Sequence, residues 1–407
     1  MIDVDQALRA LVARDGSDLH LKAGSVPMAR VNGELVPLGG DAWPVLEAAE
    51  IQEALHEMLA GGTRLADFDQ NHEIDLSREI AGVARFRINA RRQRGGVALV
   101  ARAIPHQIRT IEELALPPVI ATLANEQRGI ILVTGTTGSG KSTTLAAMIH
   151  HINLSRAANI VTIEDPIEFV HQDQRSLIGQ REVGVDTISF KDALRRVLRQ
   201  DPDVILIGEM RDEETVQTAM SAAETGHLVL STIHTLDASE SINRMLEFFT
   251  PNHHQQVRAM LASTLRGVIS QRLVPAADGG RVPVCEVLRM TGRVRDKILK
   301  PDETTDLSAV ITEGAYYGMQ TFDQALYGHV AAGRVSVEDA LSAATSPHDF
   351  KLLLDAQGSL GTTMADVPTG TTMDDVPTSA TFDDARSVNT VDYTPLGTTM
   401  DDVLDAA

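Results

Sequence analysis

Apolar and polar positions recur along this chain with different periods in different places. The run Gly129-Ile130-Ile131-Leu132-Val133-Thr134 is continuously apolar and predicts a strand buried on both faces. After a glycine-rich turn, Leu145, Met148, Ile149 and Ile152 recur at helical spacing and predict a helix with one face on a sheet. Residues 159–163 and 204–207 repeat the buried-strand pattern, each run closing on acidic residues, and 224–235 reads as a further strand. Between them, Ala193, Leu194, Val197 and Leu198 share one side of a helix that carries Arg195, Arg196 and Arg199 elsewhere. Strands alternating with helices predict an α/β domain over residues 118–356.

Upstream the period changes. Residues 17–21 and 29–38 alternate around Asn32-Gly33, the pattern of a β-hairpin. Leu46, Ile51, Leu55 and Leu59 mark a helix over 46–60. A second strand pair spans 83–89 and 97–102, joined by a loop holding Arg91, Arg92, Arg94, Gly95 and Gly96. Residues 1–103 therefore read as a small α+β domain, and 104–117 as a linker with one helical turn around Ile111–Leu114. Beyond Leu273 the pattern is mostly helical, most clearly over 319–326 and 337–344. From Gly361 a nine-residue unit, GTTMADVPT, returns at Gly370 and Gly397, with degenerate copies at Ser379 and Val388. Its one apolar position (Met364, Met373, Phe382, Val391, Met400) buries too little surface to offset ordering, so 357–407 is predicted disordered. Its functional reading is a series of weak T-x-D-D docking peptides acting by avidity.

Composition narrows the classes. The formal charge is −20; nine acidic residues against Arg386 give the tail −8 and leave −12 for the rest. That balance lacks the basic footprint of a nucleic-acid binder, so no stable nucleic-acid binding is expected and a translocase is the weaker alternative. No apolar run approaches the roughly 20 residues of a membrane span, nor does the start resemble a signal peptide, which together predict a cytoplasmic protein. A single cysteine, Cys285, excludes an intrachain disulfide and a multi-cysteine zinc site.

The chemistry concentrates after the first buried strand. Gly135-Thr136-Thr137-Gly138-Ser139-Gly140-Lys141-Ser142 fits G-x-x-x-x-G-K-[ST], with a strand before and a helix after, so Gly135 to Thr143 are expected to bind the nucleotide. Glycines let successive N–H groups curl around a phosphate, Lys141 reaches the β- and γ-phosphates, and the Ser142 hydroxyl is placed to ligate Mg²⁺. Glu164 and Asp165 close one strand and Glu209 another, so all three sit where open α/β sheets bind ligands. Gly208 stands where many P-loop enzymes have an aspartate, leaving Glu209 to hold the Mg²⁺ water shell or orient the attacking water. His227 and His234, seven apart, fall on opposite faces and share no metal; His234 is placed to sense the γ-phosphate, and His227 reads as core or subunit contact. His150-His151 and His253-His254 read as surface. Arg85, Arg87 and Arg102 are either a solvated ribbon or forks for a neighbouring γ-phosphate. No N-K-x-D sequence is present, which favours ATP over GTP.

Taken together, these stretches resemble the secretion-superfamily ATPases, most closely the PilT-type retraction ATPases of type IV pili, over residues 5–355. The resemblance lies in SDLHL (17–21), ARFRIN (84–89), TIEDPIEFVH (162–171), IGEMRD (207–212), and TGH through HT (225–235). It implies a RecA-like ATPase domain behind a PAS-like domain, assembled as a homohexamer. It also implies Glu164 as general base, Glu209 as its partner, Arg85, Arg87 and Arg102 completing a site across an interface, and His227 and His234 linking nucleotide state to domain movement. The implied partner is an inner-membrane pilus platform protein at the cytoplasmic face of the pilus base. The lack of a four-cysteine module favours retraction over the alternative of pilus extension or type II secretion, while Gly292-Arg293-Val294-Arg295-Asp296 meets the retraction-linked C-terminal signature only loosely.

Overall fold

Two sheets organise the chain. The computed structural model describes residues 2–31, 33–39, 43–59, 63–104 and 108–362. The repeats beyond Thr362, Asn32 of the predicted turn, and Pro105–Gln107 at the start of the linker lie outside them.

The first sheet is antiparallel and six-stranded. It is built from α1 (Val4–Val12), β1 (Asp18–Lys22), β2 (Met28–Val31), β3 (Glu34–Pro37), α2 (Ala48–Met58), α3 (Thr63–Asn71), β4 (Glu73–Ile80), β5 (Ala84–Gln93) and β6 (Gly96–Ile104). The strand order is β3-β2-β1-β6-β5-β4. Leu8, Leu11, Ile51, Leu55 and Phe68 from the helices meet Leu19, Phe86 and Leu99 from the strands in one core. Sequence reasoning missed α1, α3 and β4. It also misplaced the arginine loop: Arg91 and Arg92 belong to β5, which pairs to Gln93↔Gly96, leaving only Arg94-Gly95 as the turn. Both turn residues have positive φ (49° and 80°), which suits a two-residue hairpin between right-twisted strands.

Residues 108–116 pack rather than hang free. Thr110 Oγ1 accepts the Glu113 N–H at 3.2 Å and Glu113 Oε2 accepts the Thr110 N–H at 2.8 Å, a reciprocal cap on one helical turn. Ile111, Leu114 and Leu116 are buried with Ile120 and Leu123 of α4 (Val119–Ala124).

The second sheet contains β7 (Gly129–Thr134), β8 (Asn159–Glu164), β9 (Leu177–Glu182), β10 (Val204–Ile207), β11 (Leu228–Ile233), β12 (Leu265–Pro275) and β13 (Arg281–Arg289). The order is β13-β12-β7-β11-β10-β8-β9, parallel except for the final hairpin of β12 with β13. On one face α4 and α5 (Lys141–Ser155) cover it. On the other lie α6 (Phe190–Val197), α7 (Glu213–Glu224), α8 (Ala238–Glu247), α9 (His254–Thr264), α10 (Gly292–Leu299) and α11 (Leu307–Glu313). A smaller core joins Val274, Val282 and Val284 to α12 (Phe322–Ala331), α13 (Val337–Ala343) and Phe350 of α14 (Pro347–Thr362). Residues Met1–Asp355 make one compact unit; of the second unit, Ala356–Ala407, only the end of α14 is described.

Three expectations need correction here. Residues 281–289, read as part of a mostly helical region, form β13: it is buried almost throughout, so the alternation that marks a half-exposed strand is missing. Leu198 ends α6 on the solvent side, at 39% exposure. Of the histidines read as surface, His151 has its Nε2 buried and His254 hydrogen-bonds the Phe249 carbonyl at 3.0 Å.

Within β13, Glu286 is buried and its Oε1 accepts the Ala238 N–H that opens α8, at 2.9 Å. Burial pushes its carboxyl up to about 7, against that hydrogen bond and with Asp237 adding to the rise. A raised folded value means the associated stability is complete below pH 4.5, the ordinary value, and is lost as pH climbs through about 7. Glu286→Gln keeps the acceptor without the charge. It should therefore outlast the parent in urea at pH 8 by up to roughly 3 kcal/mol while matching it near pH 4.5. A gap that does not change with pH would contradict this.

Candidate active site

Parallel strands deliver their carboxyl ends to one edge of the sheet, and the residues following β7, β8, β10 and β11 meet there. They line a cleft of about 650 Å³. Its floor is Thr137, Gly138, Gly140, Lys141, Ser142 and Thr143; its walls carry Glu164, Asp165, Glu168, Glu209 and His234; Arg87 and Arg102 enter from the first sheet. A neighbouring cleft of about 730 Å³ shares the wall of Glu209, Arg211 and His234 but is lined by no P-loop residue.

The loop geometry explains two of its glycines. Gly135 has φ 139°, and a Cβ there would lie 2.4 Å from the Gln271 carbonyl oxygen. Gly140 has φ 89° and heads α5; its Cβ would lie 2.7 Å from Gln271 Nε2. Gln271, on β12 and absent from the sequence reading, braces the loop. Its Oε1 accepts the Thr144 hydroxyl at 2.6 Å and its Nε2 donates to the Ser139 carbonyl at 2.7 Å. Gln271→Leu fills similar space but strands both groups, so we expect about 1–3 kcal/mol lower stability in urea and weaker ADP binding by titration. Unchanged values in both would show that the brace is dispensable.

Lys141 is buried, and its Nζ donates to the Gly135 and Thr136 carbonyls, each at 2.9 Å. Burial pushes its ammonium below the ordinary lysine range, with Glu168 opposing. Ser139 Oγ is buried with no hydrogen-bond partner among the described residues.

Glu164 lies at the end of β8. Burial pushes its carboxyl up, which raises its appetite for a proton, while the Thr162 and Gln180 side chains act the other way. Both donate to Oε1, Thr162 Oγ1 at 2.6 Å and Gln180 Nε2 at 3.1 Å. Glu209, one residue past Gly208, is held between the Arg211 guanidinium and His234 Nε2, the latter 3.3 Å away. Burial, then Lys141 and Arg211, push the His234 imidazole below its ordinary range. His171 also lines the cleft, and burial with His150 nearby pushes it down to about 4.

Five of the predicted residues do not line the cleft. Gly135, Thr136 and Ser139 belong to the loop but are absent from the lining. His227 precedes β11 at the opposite end of the strand, about 20 Å of strand away, and its Nδ1 meets the Ala222 carbonyl at 2.8 Å. Arg85 turns from the cleft to a buried partner, Glu182, at 2.6 Å, while Arg102 binds Asp18 at 2.8 Å from the cleft's rim.

The arrangement has relatives. A model of the type II/IV secretion system protein family matches residues 79–341. The type IV pilus retraction ATPase PilT of Pseudomonas aeruginosa is 43% identical over 349 residues, 86% of this chain and 100% of its own. A twitching motility protein of Neisseria gonorrhoeae is 45% identical over 315 residues, covering 77% of this chain and 83% of its own. A crystal structure of the pilus retraction motor PilT with bound ADP superposes with a TM-score of 0.79 at 40% identity, covering 86% of this chain and 99% of that one.

Proposed function

The chain belongs to the type II/IV secretion system protein family, and we propose that it is an ATPase motor powering type IV pilus retraction. The observation that carries this is the meeting, in one cleft, of the P-loop residues Thr137, Gly138 and Gly140 to Thr143, two strand-end glutamates and two arginines from a second sheet. We read residues 1–103, 104–117 and 118–356 as PAS-like domain, linker and RecA-like ATPase domain with a C-terminal helical layer; separate cores for the first and the last support that division, with Ile111, Leu114 and Leu116 of the linker buried in the ATPase core.

In this reading Gly135 to Thr143 cradle the triphosphate of ATP and Lys141 holds its β- and γ-phosphates. Ser142 and Glu209 offer a hydroxyl and a carboxylate to the same cleft, a donor set that fits a partly hydrated Mg²⁺. Such an ion would neutralise phosphate charge. Glu164 takes the proton of the attacking water as its oxygen bonds the γ-phosphorus and the bond to the β-phosphate oxygen breaks. Arg87 and Arg102 bind the γ-phosphate from the N-terminal sheet, so its loss frees that sheet to move. His234, against Glu209, follows the same event; His227 serves a subunit contact.

A homohexamer of such units would stand at the cytoplasmic face of the inner membrane and turn a platform protein that handles pilin. No described helix is long and apolar enough to cross a membrane, which fits peripheral association. The test is the purified full chain: ATP turnover by a six-protomer species, unchanged by added DNA, is expected. Absent turnover, or strong stimulation by DNA, would overturn the reading.

A further inference from the structure

Edge strand β9 carries two polar side chains, Gln180 and Glu182, that the reaction above does not use. They are two residues apart and so share a face of the strand. The parallel register sets Gln180 beside Thr162 and Glu182 beside Glu164. Gln180 makes three hydrogen bonds within the acidic loop: Nε2 donates to Glu164 Oε1 at 3.1 Å and to the Phe169 carbonyl at 2.8 Å, and Oε1 accepts the His171 N–H at 2.8 Å. Glu182 is 4% exposed and joins three parts of the chain. Its Oε2 accepts the Ile167 N–H at 3.2 Å and meets Arg85 at 2.6 Å, and its Oε1 accepts the Ser77 hydroxyl at 3.0 Å. Ser77 and Arg85 belong to β4 and β5 of the other sheet. Arg85 lies two residues from Arg87 on β5, and Arg87 pairs in register with Arg102.

We propose that Gln180 and Glu182 are positioning residues of the ATPase reaction. Gln180 aims the Glu164 carboxylate. Glu182 ties the loop after Glu164 to Arg85, and so sets the strand face that carries Arg87, with Arg102 beside it, over the P-loop. Docking of the N-terminal sheet and orientation of the base thereby become one event. A buried carboxylate that bridges two sheets is costly to leave half-paired, which makes the junction two-state rather than graded. The inference rests on Glu164 as the base.

The test uses the full chain with steady-state ATP kinetics and titration with a fluorescent ADP analogue. Gln180→Ala should lower kcat about 10- to 100-fold with ADP affinity within about 2-fold of the parent, because the P-loop is untouched. Gln180→Glu, similar in shape but lacking the donor, should be no better; parental kcat in that variant would reduce Gln180 to packing and overturn its part. Arg85→Ala and Glu182→Gln should each raise the KM for ATP and lower kcat. Combined, they should be little worse than either alone, since both remove one contact. Parental kinetics in Arg85→Ala, or fully additive losses, would overturn the coupling. If Glu182→Gln fails to fold, Arg85→Ala decides alone, since it leaves the Glu182 bond to Ile167 in place. Glu164→Gln separates the two levels. Turnover surviving in it removes the base assignment itself, whereas a dead Glu164→Gln beside parental Gln180 and Arg85 variants removes only this inference.

Discussion

Lys141→Ala is expected to abolish nucleotide-dependent activity. The lysine is the buried cation at the centre of the P-loop, and its Nζ already lies within hydrogen-bond distance of two loop carbonyls. Those carbonyls carry only partial charge, and burial weakens the ammonium's hold on its proton. A triphosphate is the partner that would stabilise it fully. Removing the ammonium leaves the loop's N–H groups facing the phosphates without a full positive charge, in a site where electrostatic contacts are worth more than in water. Turnover should fall at least about 100-fold, with ATP affinity reduced as well. Coupled-enzyme assay and equilibrium titration measure the two separately. Parental turnover would remove Lys141 from the site.

Glu209→Gln has the second large effect, of a different kind. The glutamate follows Gly208 at the end of β10, its side chain largely buried between Arg211 and His234. Glutamine keeps the shape and one acceptor oxygen, but it removes the negative charge that Arg211 answers and that a hydrated Mg²⁺ requires. ATP should still bind through the P-loop, while turnover drops at least about 100-fold. A loss confined to KM would instead assign Glu209 to ground-state binding.

Much of this site was legible because it is local. The strand, turn and helix of 129–155 follow one another within 27 positions, and each residue's role depends on near neighbours: glycines for positive φ, a lysine and a serine opening α5. The strand-end glutamates were equally plain, since an apolar run that stops at an acid announces its position on the sheet. What escaped was set by distant partners. Gln271 lies 127 residues from the threonine it braces, and nothing in its neighbourhood marks it. Strand β9 reads Leu177-Ile178-Gly179-Gln180-Arg181-Glu182; as an edge strand it is half polar and largely unburied, so no periodicity singles it out. Arg85 was rightly noticed as an arginine on a strand, yet only the fold shows that Glu182, 97 residues on, takes it instead of a phosphate. The histidines illustrate the same limit. Their odd spacing put them on opposite faces of the strand and their positions at its two ends, but only the tertiary arrangement puts Glu209 beside His234 and a helix carbonyl beside His227.

The central claim is that ATP turnover in this cleft pulls pili in. The most direct measurement is the number of surface pili on cells whose only copy of this chain carries Glu209→Gln, counted against the parent by electron microscopy. A retraction motor predicts an excess of long pili on cells that no longer twitch, because assembly continues while withdrawal stops. Few or no pili would contradict the account and move the same chemistry to pilus extension or secretion.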